Sequence, residues 1–264
     1  MAQQGYVFLQ GGGDEFIDAV SYNGSSSDFQ LEQDWRSTFA DDGTIISLVT
    51  WIKPAASISG TNQGIFGLFE GTSDPDGIVL RIDSTGSFNG TLVFGIGASG
   101  SLDHRLHSTS FSAGTSLFTC IMICLEIGNN TGSAIKHMYM NNTDTSPTLN
   151  PASASGHTIP SVGYPVIGNN NNGGDFFNGC IGPIWMTDEE IDFSVAANRQ
   201  KFTDAGNFGH IKDLGEDGSR PTGTQPKIYI KGNATNIAQH GSLSGSGTLT
   251  RGNLTNCATR LRVI

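Results

Sequence analysis

Apolar residues in this chain recur with a period of two, in short runs, and hardly anywhere with the period of a helix. Ile78, Leu80 and Ile82 take one side of a run while Arg81 and Asp83 take the other. Leu92, Phe94 and Ile96 share a side, as do Ile228 and Ile230. Successive side chains of an extended strand point to opposite faces, so the alternation predicts half-buried antiparallel strands. The predicted strands are Tyr6–Leu9, Phe16–Tyr22, Thr44–Lys53, Gly64–Phe69, Ile78–Asp83, Thr91–Ile96, Leu117–Ile127, Ile135–Asn141, Phe177–Met186 and Lys227–Lys231. Two runs, Ile45–Ile52 and Leu117–Ile127, are apolar on both sides, which predicts central strands covered on either face. Turn chemistry separates the runs: "DDG" at 41–43, "SDPDG" at 73–77, "NNTG" at 129–132 and "NNNNGGD" at 169–175. Strands in this number, with no amphipathic helix between them, bury their faces by packing sheet on sheet. The expected class is all-β, an antiparallel β-sandwich.

Composition agrees. The chain of 264 residues holds 36 Gly, and charged residues make up only 14%, whereas helices favour Ala, Leu, Glu, Lys and Arg. One short helical segment is expected within 188–203. "TDEE", Thr187 to Glu190, fits a capping box, and Ser194 offers a second start. A long surface loop is expected at about 206–226, followed by a returning C-terminal strand segment at 227–264. No repeat or boundary divides the chain, so a single sandwich domain is expected over 1–264.

Net charge excludes some functions. At −10, with 14 Lys plus Arg and no basic cluster, the chain lacks the footprint that displaces counterions from nucleic-acid phosphates. Anionic membrane surfaces are disfavoured equally. The most apolar run, Leu117–Ile127, is too short to cross a bilayer as a helix, so no membrane insertion is expected. The N-terminus shows no basic stretch followed by an apolar one, so synthesis in the cytoplasm without a signal peptide is expected.

Four cysteines set no obvious framework. Cys120 and Cys124 lie four apart in one run, about 13 Å between Cα atoms, beyond the roughly 7 Å a disulfide spans. All four, including Cys180 and Cys257, are read as buried free thiols, with a Cys180 bridge to a neighbouring strand as the alternative.

Several motifs fail in context. "GGGDEF" at 11–16 matches the signature of cyclic di-GMP synthases, but only ten residues precede it, with no acidic residue and no room for the segments that supply the metal aspartate. "DLGEDG" at 213–218 lacks EF-hand ligands at Gly215 and Thr224. There is no nucleophile elbow, paired-histidine zinc motif or phosphate-binding loop. His104 and His107 lie in a polar stretch and are read as solvent-exposed.

The order of segments resembles a known family. "AVSYNGSSSDFQL" followed by "TIISLVTWIKP" is similar to the opening of concanavalin A-like, laminin-G-type jelly rolls. "SLFTCIMICLEIGNNTGSAIKHMYMNN" resembles their central hairpin, and "FNGCIGPIWMTDEEIDF" their closing strand. "DLGEDGSRPTG", within 198–234, resembles a subgroup encoded among bacteriophage virion structural genes. The resemblance covers nearly the whole chain, and this last segment is its most specific part. It implies a virion surface protein, either a capsid decoration or a tail or fibre component. The implied partners are other virion proteins, copies of itself and a host-surface glycan. The alternative is a free carbohydrate-binding module or a glucanase-like enzyme.

The fold also hosts laminarinase-type glucanases, which need two carboxyls about 5 Å apart. "EIDFSVA" at 190–196 begins their motif, but Ser194 and Val195 stand where the second Glu belongs. Glu190 is therefore read as a capping residue and the chain as a non-enzyme. Sugar contact is expected from Trp35, Asn170, Asn172, Asp175 and Phe176, an aromatic platform beside Asx hydrogen-bonding groups. Trp51 and Trp185, inside apolar runs, are expected in the core. No cofactor is expected beyond a calcium ion, for which Asp74 and Asp76 are the candidate ligands.

Overall fold

The computed structural model describes residues 16–26, 28–31, 44–55, 62–69, 77–84, 90–98, 101–108, 111, 117–127, 135–151, 164–169, 175–207, 209–232, 234, 237–240, 249–251, 254–258 and 261–264. In chain order the strands are β1 (Phe16–Ile17), β2 (Val20–Asn23), β3 (Phe29–Leu31), β4 (Ile45–Pro54), β5 (Gln63–Phe69) and β6 (Gly77–Asp83). Then come β7 (Thr91–Ala98), β8 (Ser101–His107), β9 (Thr119–Glu126), β10 (Lys136–Met140), β11 (Thr143–Asp144), β12 (Thr148–Pro151) and β13 (Tyr164–Ile167). β14 (Asn178–Thr187), helix α1 (Ala196–Arg199), β15 (Ile228–Lys231), β16 (Ala238–Gln239), β17 (Leu249–Arg251), β18 (Thr255–Asn256) and β19 (Leu261–Arg262) complete the series.

Two antiparallel sheets carry the fold. The first runs β11-β10-β9-β4-β14-β15-β16, with β2 and β18 paired beside β14. The second runs β12-β8-β7-β6-β5-β13-β3-β17. β1 and β19 form a separate two-stranded ribbon. This is an antiparallel β-sandwich with one short helix among the described residues, as the alternation requires.

Alternation places the inner core. Ile46, Leu48 and Ile52 of β4, Ile121, Ile123 and Leu125 of β9, and Ile228 and Ile230 of β15 meet Phe66, Leu80, Ile82, Leu92 and Phe94 of the second sheet. All of these are buried.

The opposite face of the first sheet is buried too. Val49, Trp51, Cys120, Met122, Trp185 and Tyr229 pack there against Ile191, Phe193, Phe202, Ile211 and Leu214, which belong to the irregular stretch after β14. This double burial is why β4 and β9 are apolar on both sides. Trp51 and Trp185 are fully buried, as expected, but in this second core. Trp185 stacks edge-on against Phe202 at 5.0 Å, and its Nε1–H donates to Gly218 O at 2.8 Å.

Three expectations are corrected. Thr187 does not cap a helix: it ends β14, paired with Ser47. The ladder outcompetes the local box, and the helix starts at Ala196 after Val195, with no side-chain cap. Cys180 and Cys257 form a disulfide, while Cys120 and Cys124 are free and buried. The cause is register: β18 lies on β2 and β2 on β14, which sets the two Cα atoms 5.8 Å apart. The end of the returning C-terminal segment closes on the chain itself, where Leu261 and Arg262 pair with Ile17 and Phe16. His104 and His107 belong to strand β8, paired with β7 and β12, and His107 is half-buried.

Candidate functional site

Where the strands of the second sheet turn polar side chains away from the core, charge collects. In β6 the inward Leu80 and Ile82 alternate with Arg81 and Asp83. Arg81 pairs across to Val93 of β7, and Val93 to His107 of β8; Gly95 pairs with Arg105. Arg81, Asp83, Arg105 and His107 therefore share the outer face of three adjacent strands.

Arg81 Nε lies 2.8 Å from Asp83 Oδ1, and its Nη2 lies 3.4 Å from Oδ2. The Nε–H does not point along the shorter contact, so it is a charge contact rather than an aligned hydrogen bond. The Asp83 side chain is only 5% exposed. Burial pushes its carboxyl above the usual range and Asp175 adds to this, while Arg81 and Arg105 oppose it. Burial pushes the His107 imidazole down, with Arg105 adding to the shift and Asp83 and a Ser108 hydrogen bond opposing it.

The segment before β14 is sewn to this end of the sheet. Gly64 N–H donates to Asp175 O at 2.8 Å, and Phe176 forms a parallel bridge with Gly64. Phe177 N–H donates to Gly168 O at 2.8 Å and Gly168 N–H to Ile65 O at 2.9 Å. Gln63 Oε1 accepts from Asn178 N–H at 3.2 Å. Gly168 and Asp175 are thereby both fixed to β5. Next to Gly168, Asn169, 5% exposed, hydrogen-bonds the Asp28 carboxylate, whose pKa burial raises against that bond.

Of the residues expected to contact sugar, Asp175 and Phe176 are half-buried beside the cluster. Trp35, Asn170 and Asn172 lie outside the described residues, as do Asp74 and Asp76, the calcium candidates. Arg81, Asp83, Arg105 and His107 were not among the expected site residues. Arg81 and Asp83 were legible as the outward half of an alternating run. Arg105 and His107 were hidden, because the polar stretch 101–107 gave no sign that it joins the same sheet.

The cluster places two guanidinium groups, two carboxyls and an imidazole around half-buried ground. Cations and anions balance, and donors stand beside acceptors. Such a set suits a neutral partner that both gives and receives hydrogen bonds.

No protein-family model and no curated protein matches the sequence. Solved structures are similar in fold. A heptameric SAP-like pentraxin from Limulus polyphemus is 15% identical over 67% of this chain and 78% of that one, with a TM-score of 0.47. Domain 4 of a GH43 extracellular arabinanase from Geobacillus stearothermophilus, in complex with arabinotriose, is 17% identical over 70% and 79%, at 0.44. Tailspike protein 2 of Escherichia coli O157:H7 bacteriophage CAB120 is 14% identical over 73% of this chain and 28% of that one, at 0.43. Sialidases from Streptococcus pneumoniae and Trypanosoma rangeli also match. The expectation of a non-enzyme is corrected by these matches, since glycoside hydrolases and sialidases stand among the proteins of similar fold.

Proposed function

We propose that this protein is a carbohydrate-binding β-sandwich that takes up a glycan at the Arg81–Asp83–Arg105–His107–Asp175 cluster. The observation that carries this reading is the charge-balanced, strand-borne set of donors and acceptors around the nearly buried Asp83. Neighbouring sugar hydroxyls need a donor and an acceptor side by side, and a carboxylate gripped by a guanidinium offers both. Strands hold such groups in place, so little ordering is lost on binding. Trp35, Asn170, Asn172 and Phe176 extend the same site in this proposal, and a calcium ion held by Asp74 and Asp76 completes it. Glycan-array screening followed by calorimetry tests the reading. Arg81→Gln and Arg105→Gln, each with native circular dichroism, should weaken the best glycan at least about tenfold. Equal binding by the double variant would remove the cluster from the site. Melting in calcium against chelator tests the ion.

A second reading places the protein on the surface of a bacteriophage particle, among other virion subunits and copies of itself. It is supported by the segment "DLGEDGSRPTG", which packs as a fixed part of the second core through Leu214 and the Trp185–Gly218 hydrogen bond. Mass spectrometry of purified particles, with the neighbouring genes read alongside, tests this.

A further inference from the structure

A cavity of about 280 Å³ opens on the far side of the molecule's first sheet, between the 213–220 segment, β15 and the terminal ribbon. Its polar lining is Asp213, Glu216, Arg220 and Lys231, and its apolar wall is Ile17 and Val263. We propose that this cavity is a second ligand site, for a neutral hydroxyl-bearing ligand. Its apolar wall stands only while the Cys180–Cys257 disulfide holds the C-terminal segment down. The proposal does not rest on the Arg81–Asp83 cluster, which lies on the other sheet.

Charge chooses the ligand class. Arg220 pairs with Asp213, and Lys231 Nζ lies 3.2 Å from Glu216 Oε2 and 3.4 Å from Gly215 O. Two cations and two anions leave no net pull on an ion. Exposed pairs of this kind contribute little by themselves, so a hydroxyl that both donates and accepts can insert between the partners without leaving either unmatched. Ile17 and Val263 offer C–H surface to the apolar face of a sugar ring.

The polar wall is pre-organised. Asp213 Oδ1 accepts from Gly215 N–H at 2.9 Å, and in the same segment, outside the lining, Asp217 Oδ1 accepts from Ser219 N–H at 3.0 Å. Gly218 has φ +79, and a Cβ there would stand 2.8 Å from the Tyr229 ring. Only glycine lets the segment lie this close to β15.

The apolar wall is conditional. β19 is held to β1 by two residue pairs, and β18 to β2 by two more. Ladders this short are marginal alone. Ile211 and Val263 add a bridge, and Cys257 N–H donates to Ala19 O at 3.0 Å. The disulfide is the covalent tie, joining residues 77 apart in sequence. Reduction breaks the S–S bond with two electrons and two protons, giving two thiols, and dithiothreitol supplies both as it closes to its cyclic disulfide.

Amide NMR of the full chain tests this, titrating methyl β-D-glucopyranoside, methyl α-D-mannopyranoside and methyl β-D-galactopyranoside, with sodium acetate and phosphate as ionic probes. At least one glycoside should shift Gly215, Glu216 and Lys231, and Lys231→Gln should weaken it at least about tenfold. Arg81→Gln should leave these shifts unchanged, which separates this site from the proposed glycan cluster. Dithiothreitol should weaken the glycoside by a similar factor and speed hydrogen exchange at Ile17 and Leu261. Shifts from the ionic probes alone, or from none of the glycosides at about 100 mM, would overturn the ligand class. Unchanged exchange at Ile17 and Leu261 in reduced protein would overturn the conditional wall, whatever the binding result.

Discussion

The two cores of this molecule share one sheet and are closed in different ways. Between the sheets, both walls are chiefly paired strands, and most wall-forming residues are every second one. On the outer side of the first sheet, one wall is strands and the other is the irregular stretch from Ile191 to Leu214 with the C-terminal Cys257 and Leu261. Backbone outside a sheet has no ladder to satisfy it, so side chains must serve as partners. Ser47 Oγ–H donates to Glu189 O at 2.7 Å and accepts from Ile191 N–H at 3.0 Å. The buried Arg199 donates to Asn142 Oδ1 at 2.7 Å, to Ser194 O at 3.0 Å and to Phe193 O, and lies over the Tyr139 ring at 4.5 Å. A regular wall needs only alternation; an irregular wall needs individual pins.

That contrast gives the largest expected effect. Phe94→Ala, between the sheets, should lower unfolding free energy by about 3–5 kcal/mol, with far-ultraviolet dichroism and tryptophan fluorescence moving together. Phe202→Ala empties the other core, which holds Trp51 and Trp185, two of the three tryptophans. Its fluorescence transition should precede the loss of sheet signal, as expected where local stability is not uniform. Denaturant titration of both variants checks this. Coincident transitions in Phe202→Ala would mean the two cores are one cooperative unit.

The same contrast governs what the sequence could reveal. The doubly apolar runs of β4 and β9 announced central strands, since period two reads directly onto both faces. Phe193, Phe202, Ile211 and Leu214 stand singly in polar surroundings, with no period to expose them as a core wall. The Cys180–Cys257 bond depends on three strands lying side by side, which spacing along the chain does not encode. Likewise, Arg81 and Asp83 were readable as outward residues, whereas their meeting with Arg105, His107 and Asp175 follows from strand order alone.

Reducing the Cys180–Cys257 bond, or Cys257→Ser, should cost about 2–4 kcal/mol. The cost should appear first in the second core, as a fluorescence change at denaturant concentrations where the sheets are intact. Equal shifts in both probes would place the bond in the common unfolding step.

A smaller effect separates the two buried tryptophans. Trp185 Nε1–H is bonded to Gly218 O, whereas the Trp51 Nε1–H has no hydrogen-bond partner among the described residues. Replacing each by Phe removes similar bulk, but Trp185→Phe also strands a buried carbonyl. It should cost about 1–2 kcal/mol more than Trp51→Phe. Urea unfolding of both variants measures the difference, and equal losses would show that the Gly218 pin contributes nothing net.

The smallest effect concerns the turn that starts α1. Asp192 Oδ1 accepts from Ser194 N–H at 2.8 Å and Ser194 Oγ–H at 2.5 Å, and His137 Nε2 lies 3.3 Å away. The Ser194 bonds, chiefly the hydroxyl, hold this carboxyl below the ordinary aspartate value of 3.8, with His137 adding to the shift. A folded-state pKa below the unfolded one means the unfolded chain binds the proton more readily. Stability from this group is therefore present above about pH 4 and lost as pH falls through the lowered folded value. The side chain is 41% exposed, so solvent screening limits the effect to about 0.5 kcal/mol. Asp192→Asn should carry that deficit at pH 6–7 and match the wild type near pH 2–3, by urea unfolding at each pH. His137→Ala in the same background separates the His contact from the Ser194 bonds. A deficit equal at both ends of the pH range would mean that the amide disturbs the turn sterically, and that the charge of Asp192 is not among the pins of the irregular wall.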